Sequence, residues 1–102
     1  MAVVRFGNKH LKTLYETGRS RKHDLPPQVQ RKFFMRIQQL EAATVVADLL
    51  ADSGLNFEAY EDHYSVRLNR DFRLELNVEW RDENETVFES VELIEVSAHY
   101  GD

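Results

Sequence analysis

The 102-residue chain carries a formal net charge of −5 and no cysteine, and 42% of its residues are apolar. This size fits a single domain, 1–102, with a core of its own, and the lack of cysteine excludes disulfides and thiolate metal sites. No apolar run approaches the ~18 residues that a membrane helix needs, and residues 1–10 lack the apolar segment of a signal peptide. We therefore expect a cytoplasmic protein that makes no membrane contact.

The charge is divided unevenly along the chain. Residues 1–40 hold nine Lys and Arg against two acidic residues, a net charge of +7. Residues 41–102 hold four Arg against sixteen Asp and Glu, a net charge of −12. Such asymmetry predicts a basic surface for an anionic partner. The alternative is a pair of oppositely charged surfaces that only keep a small domain soluble.

The beginning of the chain predicts a strand followed by a helix. Residues 1–6 carry the apolar positions of a short strand, and Lys9–Glu16 carries apolar side chains at helical spacing. Gly18 then provides a stop, because glycine accepts the left-handed conformation in which many helices end.

The clearest predicted helix is Gln28–Ala42, which follows Pro26 and Pro27. Proline fits the first turn of a helix, where its missing N–H has no helical partner, and Asp24 is the predicted N-cap. The apolar stripe comprises Val29, Phe33, Ile37 and Leu40. The side chains expected on the opposite side are those of Arg31, Lys32 and Arg36. Another helical turn is predicted over Val46–Ala51.

The second half of the chain changes to the two-residue period of strands. Tyr64–Leu68 and Phe72–Trp80 alternate apolar and polar residues. The short turn Asn69–Asp71 makes them an antiparallel hairpin. A third strand is predicted over Val87–Ser97, and its broken alternation at Glu92–Glu95 predicts a β-bulge.

This order of elements predicts an α+β fold. A short N-terminal strand precedes two helices, which pack on one face of a twisted, mainly antiparallel sheet. The opposite face of that sheet carries polar side chains, and there we expect the functional site.

Arg67 and Arg73 are the first candidates for that site. They stand two places before and two places after the turn Asn69–Asp71, so we expect them to be cross-strand neighbours on one face. Two guanidinium groups repel each other unless they bind anions, and their planar fork suits phosphate. The hypothesis is a clamp on an RNA phosphate. The alternative is pairing with one of three carboxylates across the sheet, those of Glu75, Glu79 and Glu95.

RNA cleavage by the substrate's own 2′-OH needs a group that takes the proton of that hydroxyl and another that protonates the 5′ oxygen. His99 and Tyr100, after the last strand, are candidates for these roles, with an ordinary polar tail as the alternative. His63 either reaches the polar face or lies in a solvated loop. Its neighbours Glu61 and Asp62 lack further ligands at metal-binding spacing, so no metal or other cofactor is predicted.

Several stretches, taken in order, resemble the HigB-like killer proteins of the RelE/ParE toxin superfamily. Residues 11–18 (LKTLYETG) resemble the family's opening helix with its terminal Thr-Gly, and residues 36–49 (RIQQLEAAT, then Asp-Leu) resemble the exit of its long helix. Residues 64–74 (YSVRLNRDFRL) resemble its Arg-bearing hairpin. The last strand, ending at His99, resembles the family strand that ends in His. The resemblance extends over residues 11–100.

The resemblance implies the fold described above, called RelE-like, and a toxin of a type II toxin–antitoxin pair. A helix-turn-helix antitoxin would neutralise it and provide indirect contact with operator DNA. Such toxins commonly dock on the ribosome and cleave mRNA without a metal or cofactor. Arg73 and His99 match functional positions of the family, Arg67 matches an Arg on the preceding strand, and His63 and Tyr100 are further candidates. The residues expected to contact RNA or the ribosome are Lys9, Lys12, Arg19, Arg21, Lys22, Arg31, Lys32 and Arg36.

Two features depart from the family pattern. The family often has a Lys in the loop before the hairpin, whereas Glu58–Asp62 contains none, and it often has Asp-Tyr before the final His, where this chain has Ser97 and Ala98. The acidic second half also opposes general affinity for RNA, which depends on neutralising phosphate charge.

These departures keep two other functions open. One is a non-catalytic binder with a toxin fold, either a ParE-like inhibitor of DNA gyrase or a decayed toxin that acts with its antitoxin as a co-repressor. The other is an interaction protein with no enzymatic role.

Overall fold

The computed structural model describes residues 2–19 and 25–98. Its strands and helices follow the predicted order, with one further short strand. In chain order they are β1 Val3–Phe6, α1 Lys9–Thr17, α2 Pro27–Ala42, α3 Val46–Leu50, β2 Glu58–Ala59, β3 Tyr64–Arg67, β4 Phe72–Trp80 and β5 Phe88–Ala98.

The five strands form one sheet in the order β1-β5-β4-β3-β2, in which β1 runs parallel to β5 and the other neighbours are antiparallel. This arrangement confirms the predicted α+β fold. The last strand therefore lies inside the sheet, between the first strand and β4. Across residues 2–19 and 25–98, no helix combines the length and apolarity that a membrane span requires.

The core lies between the helices and one face of the sheet. The predicted stripe of α2 is buried, with Val29 and Phe33 fully inaccessible to solvent. It packs together with Leu11 and Leu14 of α1 and with alternate apolar residues of the strands, such as Leu74 of β4. Because strand side chains alternate between faces, the intervening polar residues point to the opposite side, which we call the polar face.

The ends of the two long helices differ in how well the sequence predicted them. Gly18 ends α1 at φ +75° and donates its N–H to the carbonyl of Leu14, as predicted. The prediction of Asp24 as the N-cap of α2 is wrong, because Pro26 occupies that position and its carbonyl accepts the first helical hydrogen bonds. Asp24 itself lies outside the described residues.

Arg36 corrects another prediction, because it is only 3% exposed. Its guanidinium donates to the carbonyls of Arg67 at 2.9 Å and Gly54 at 3.0 Å, and to the Gln39 side chain at 2.8 Å. It also pairs with Asp52 at 3.1 Å. Arg36 lies next to the apolar stripe of α2, and its guanidinium is hydrogen-bonded by groups of the protein rather than by solvent. Arg36 is therefore not accessible to RNA.

The hairpin of β3 and β4 has the predicted register, with Arg67 opposite Arg73. The side chain of Asn69 determines the turn, since its Oδ1 accepts from the backbone N–H groups of Asp71 and Phe72, both at 2.8 Å. Such side-chain bonds are the reason that Asn favours tight turns.

Strand β5 contains two bulges. The register shifts between Glu75↔Glu95 and Leu76↔Leu93, which leaves Ile94 as the extra residue and confirms the predicted bulge. A second shift leaves Glu89 as an extra residue, and this bulge was not predicted. The Ile94 bulge lets apolar residues on both sides of it face the core while it directs an additional side chain to the polar face.

Candidate functional site

The polar face brings several side chains of neighbouring strands into adjacent rows. One row contains Arg67, Arg73 and Ser97, and the next contains Ser65, Glu75 and Glu95. These rows follow from the two-residue period of the strands and from the register of the Asn69 turn. Two of the predicted site residues, Arg67 and Arg73, are therefore neighbours, as expected.

His63 reaches this face from the end of the loop before β3. Its Nε2 lies 2.8 Å from Oε1 of Glu75 and its Nδ1 lies 2.8 Å from Oδ1 of Asp62. The ring of Tyr60 stacks on the imidazole with centroids 5.3 Å apart. Of the two open alternatives for His63, a place on the polar face is the one confirmed.

The two carboxylates change the protonation of His63. The hydrogen bond that Asp62 accepts, followed by the one that Glu75 accepts, raises the pKa of His63 above its ordinary value of 6.5, although partial burial acts in the opposite direction. Reciprocally, His63 lowers the pKa of Asp62 below 3.8. The two partners differ in exposure, since the Asp62 side chain is 88% exposed and that of Glu75 only 10%. Glu75 also accepts a hydrogen bond from Ser97 at 3.0 Å.

An open groove of 350 Å³ adjoins this pair. It is lined by Asp62, His63, Glu75, Asn77, Ile94 and Glu95. Three carboxylates around one histidine repel a phosphate but favour donors such as N–H groups. The groove therefore suits the proton transfer that a histidine performs better than it suits the binding of an anion.

Arg73 lies next to this groove and is largely shielded, with 8% exposure. Its Nε donates to Oγ of Ser65 at 2.7 Å and one terminal nitrogen donates to the carbonyl of Asn56 at 2.8 Å. The same nitrogen lies 3.6 Å from a carboxylate oxygen of Glu58. The predicted alternative partners were Glu75, Glu79 and Glu95, and the carboxylate that approaches Arg73 is instead Glu58 of β2.

Arg67 is half-buried and donates from Nε to the carbonyl of Asn69 at 3.2 Å. The two arginines thus stand side by side in one row, next to a row that contains two carboxylates, those of Glu75 and Glu95. His99 and Tyr100, the other predicted catalytic residues, lie outside the described residues.

Among the described residues, the predicted RNA-binding cations of α1 and α2 lie in the helix layer, on the other side of the sheet from His63. Lys9, Lys12 and Arg31 are exposed on α1 and α2, and Arg19 is exposed just after α1. Lys32 is half-buried. Arg21 and Lys22 lie outside the described residues, and Arg36 is the buried residue already described.

Comparisons with protein-family models and with curated proteins find no match for this chain. The function of the polar face is therefore inferred from its own geometry and from the resemblance seen in the sequence. Among residues 2–19 and 25–98, no group of three His, Cys, Asp or Glu side chains is arranged to hold a metal ion.

Some members of the site were not predicted. Ser65 could have been found, because strand alternation places it on the same face as the arginines. Asn56 and Glu58 could not, because β2 contains only two residues and carries no periodic signal. The place of Ile94 in the groove could not be predicted, because the sequence does not show which residue the bulge leaves unpaired.

Proposed function

We propose that this protein is a toxin of a type II toxin–antitoxin system that inhibits translation by cleaving mRNA on the ribosome. The observation that carries the proposal is a histidine–carboxylate pair, His63 and Glu75, on the same sheet face as the row of Arg67 and Arg73. The resemblance to HigB-like killer proteins and the strand–helix–helix–sheet order support it.

The chemistry is an attack of the RNA 2′-OH on the adjacent phosphate, which forms a 2′,3′-cyclic phosphate and releases the 5′ oxygen. The carboxylates that accept hydrogen bonds from His63 raise its pKa and favour the protonated ring, which suits the general acid that donates a proton to that oxygen. Asp62 is the exposed partner that substrate displaces, and Glu75 retains the ring orientation. Arg67 and Arg73 stabilise charge on the phosphate.

The resemblance assigns the complementary acid–base role to His99, with Tyr100 as a further candidate. The exposed cations of α1 and α2 contact ribosomal RNA, which places the acidic sheet face toward the mRNA codon rather than toward bulk RNA. A helix-turn-helix antitoxin neutralises the toxin and contacts operator DNA in its place.

The test is primer extension on a message translated in a purified system. We expect cuts only on translated message. Cleavage should be strongly reduced by His63→Gln and lost with Arg73→Ala. His10→Gln is the matched control, because it also replaces a histidine but lies on α1, away from the polar face. This variant should cleave the message normally. Intact message at toxin levels above the ribosome concentration would reject the endonuclease.

A second function, a non-catalytic binder such as a gyrase inhibitor, is favoured by one observation. The Arg73 guanidinium is 8% exposed and already hydrogen-bonded within the protein. A supercoiling assay with DNA gyrase distinguishes the two functions. If the protein inhibits supercoiling and leaves mRNA intact in the primer-extension test, the non-catalytic binder is supported.

A further inference from the structure

The segment Asn56–Ala59 makes a set of mutually supporting contacts over Arg73. The carbonyl of Asn56 accepts from the guanidinium, and the Asn56 side-chain amide donates to Oε1 of Glu58 at 3.0 Å. The other carboxylate oxygen of Glu58 faces the guanidinium at 3.6 Å. The chain thus presents an anionic group of its own to the arginine that the proposed function assigns to phosphate.

The geometry of the contact between Glu58 and Arg73 indicates that this carboxylate is easily exchanged. Charge-assisted hydrogen bonds between Arg and carboxylate are ~2.7–2.9 Å long and often bidentate, whereas Glu58 approaches at 3.6 Å with a side chain that is 45% exposed. A pair of this length and exposure adds little stability. A phosphate can present two oxygens to the same fork at closer range.

The segment Asn56–Ala59 lies at the edge of the sheet, where the Glu58 side chain is exposed. Strand β2 is an edge strand of two residues, paired only with Ser65 and Tyr64 of β3. Asn56 has φ +49°, a left-handed conformation that Asn tolerates better than most residues. Phe57, between Asn56 and Glu58, stacks on Tyr64 with ring centroids 5.2 Å apart and packs against the core. The exposed Glu58 side chain, rather than the backbone of the segment, is therefore the part that can move.

We propose that the Glu58 side chain is a latch: its carboxylate occupies the position of an RNA phosphate next to Arg73 and moves aside when RNA binds, while the backbone of Asn56–Ala59 stays in place. Identifying the displaced ligand as RNA rests on the proposed function. In the free protein the latch shields Arg73 from other anions, and it limits RNA binding until the substrate is held in place by further contacts.

The matched pair of variants is Glu58→Gln and Glu79→Gln. Each removes one negative charge from the polar face, and each breaks an ion pair with an arginine, since Glu79 pairs with Arg5 at 3.1 Å. Only Glu58 faces Arg73. The probe is a short oligouridine with 2′-O-methyl groups, which cannot be cleaved by 2′-OH attack, titrated at low salt and followed by amide NMR shifts.

We expect Glu58→Gln to bind this probe roughly fivefold more tightly than Glu79→Gln, a ratio that corresponds to about 1 kcal/mol, with shifts at the amides of Asn56 and Ala59. Equal affinities of the two variants, or no binding by either, would overturn the latch. Because no ribosome is present, tighter binding by Glu58→Gln supports the latch even if primer extension shows that no message is cut.

Discussion

At the scale of single residues, His63 shows how its surroundings determine what a side chain can do. A histidine beside two acidic residues in a loop predicts little more than a solvated group. The register of β3 with β4 brings Glu75 to its other nitrogen, and the two carboxylates orient the ring and favour its protonated form. The decisive partner comes from a different strand, which is the reason that local sequence alone could not assign His63.

The raised pKa of His63 predicts a definite pH dependence of stability. Folding strengthens proton binding at His63, so its contribution to the free energy of unfolding is complete below about pH 6.5 and is lost as pH rises through the folded pKa. Urea unfolding between pH 6 and 8 should show the difference between wild type and His63→Gln shrinking as pH rises. A constant difference would contradict this assignment.

The same pKa can be followed directly by NMR titration of the imidazole. Asp62→Asn and Glu75→Gln should each lower the pKa of His63, because each removes a carboxylate hydrogen bond that favours the charged ring. Glu92→Gln is the control on the same sheet, since Glu92 accepts a hydrogen bond from Asn77 instead.

Arg36 gives a second prediction at this scale. Replacing it with Met leaves the carbonyls of Gly54 and Arg67 without their donor, so we expect a loss of about 3 kcal/mol in the free energy of unfolding. Arg31→Met, an exposed position of the same helix, should change it by less than about 0.5 kcal/mol. Similar losses for both variants would contradict the role of the buried network.

At the scale of elements, the β3–β4 hairpin determines which side chains meet on the polar face. Its turn is held by one acceptor, Oδ1 of Asn69, which receives two backbone N–H groups. A change of register by one residue would exchange the two faces of a strand and separate Arg67 from Arg73.

The turn can be tested by varying only this acceptor. Asn69→Ala removes both hydrogen bonds and should lower the free energy of unfolding by about 1–2 kcal/mol, whereas Asn69→Asp retains an oxygen in the same position and should lose much less. Thermal unfolding of the two variants measures the difference. Equal losses would mean that the amide nitrogen, rather than the oxygen, stabilises the turn.

The elements also show what could be predicted from sequence. The long helices and the hairpin followed from their periodicity, and the Ile94 bulge followed from a break in alternation. The edge strand β2, the second bulge and the N-cap Pro26 did not, because two-residue strands have no period and because a proline without a side-chain hydrogen bond lacks the usual capping signal. The pairs His63–Glu75 and Arg73–Glu58 depend on contacts between distant parts of the chain.

At the scale of the whole molecule, charge separates between the two sides of the sheet. The exposed cations Lys9, Lys12 and Arg31 lie on the helix layer, whereas the carboxylates of the groove lie on the polar face. If the helix layer contacts ribosomal RNA, affinity should depend on salt through the number of phosphates neutralised.

Replacing Lys9, Lys12 and Arg31 together with Gln should weaken ribosome binding and reduce its salt dependence by roughly one unit of log–log slope for each lost phosphate contact. Co-sedimentation with ribosomes across a salt series measures both quantities. An unchanged slope would show that the helix layer does not contact RNA. Replacing the exposed Glu16 of α1 with Gln is the control, because it alters charge on the same layer without removing a cation.

The position of β5 inside the sheet has a consequence for how the molecule is made. Val3 pairs with Ser90 and Phe6 with Leu93, so contacts that span nearly the whole chain join its first strand to its last. Contacts of such high order slow folding, because loop-closure entropy is lost before they form. In a nascent chain from which β5 has not yet emerged, β1 lacks its neighbouring strand and β4 lacks one of its two neighbours. The sheet is therefore complete only after residues 88–98 have been translated.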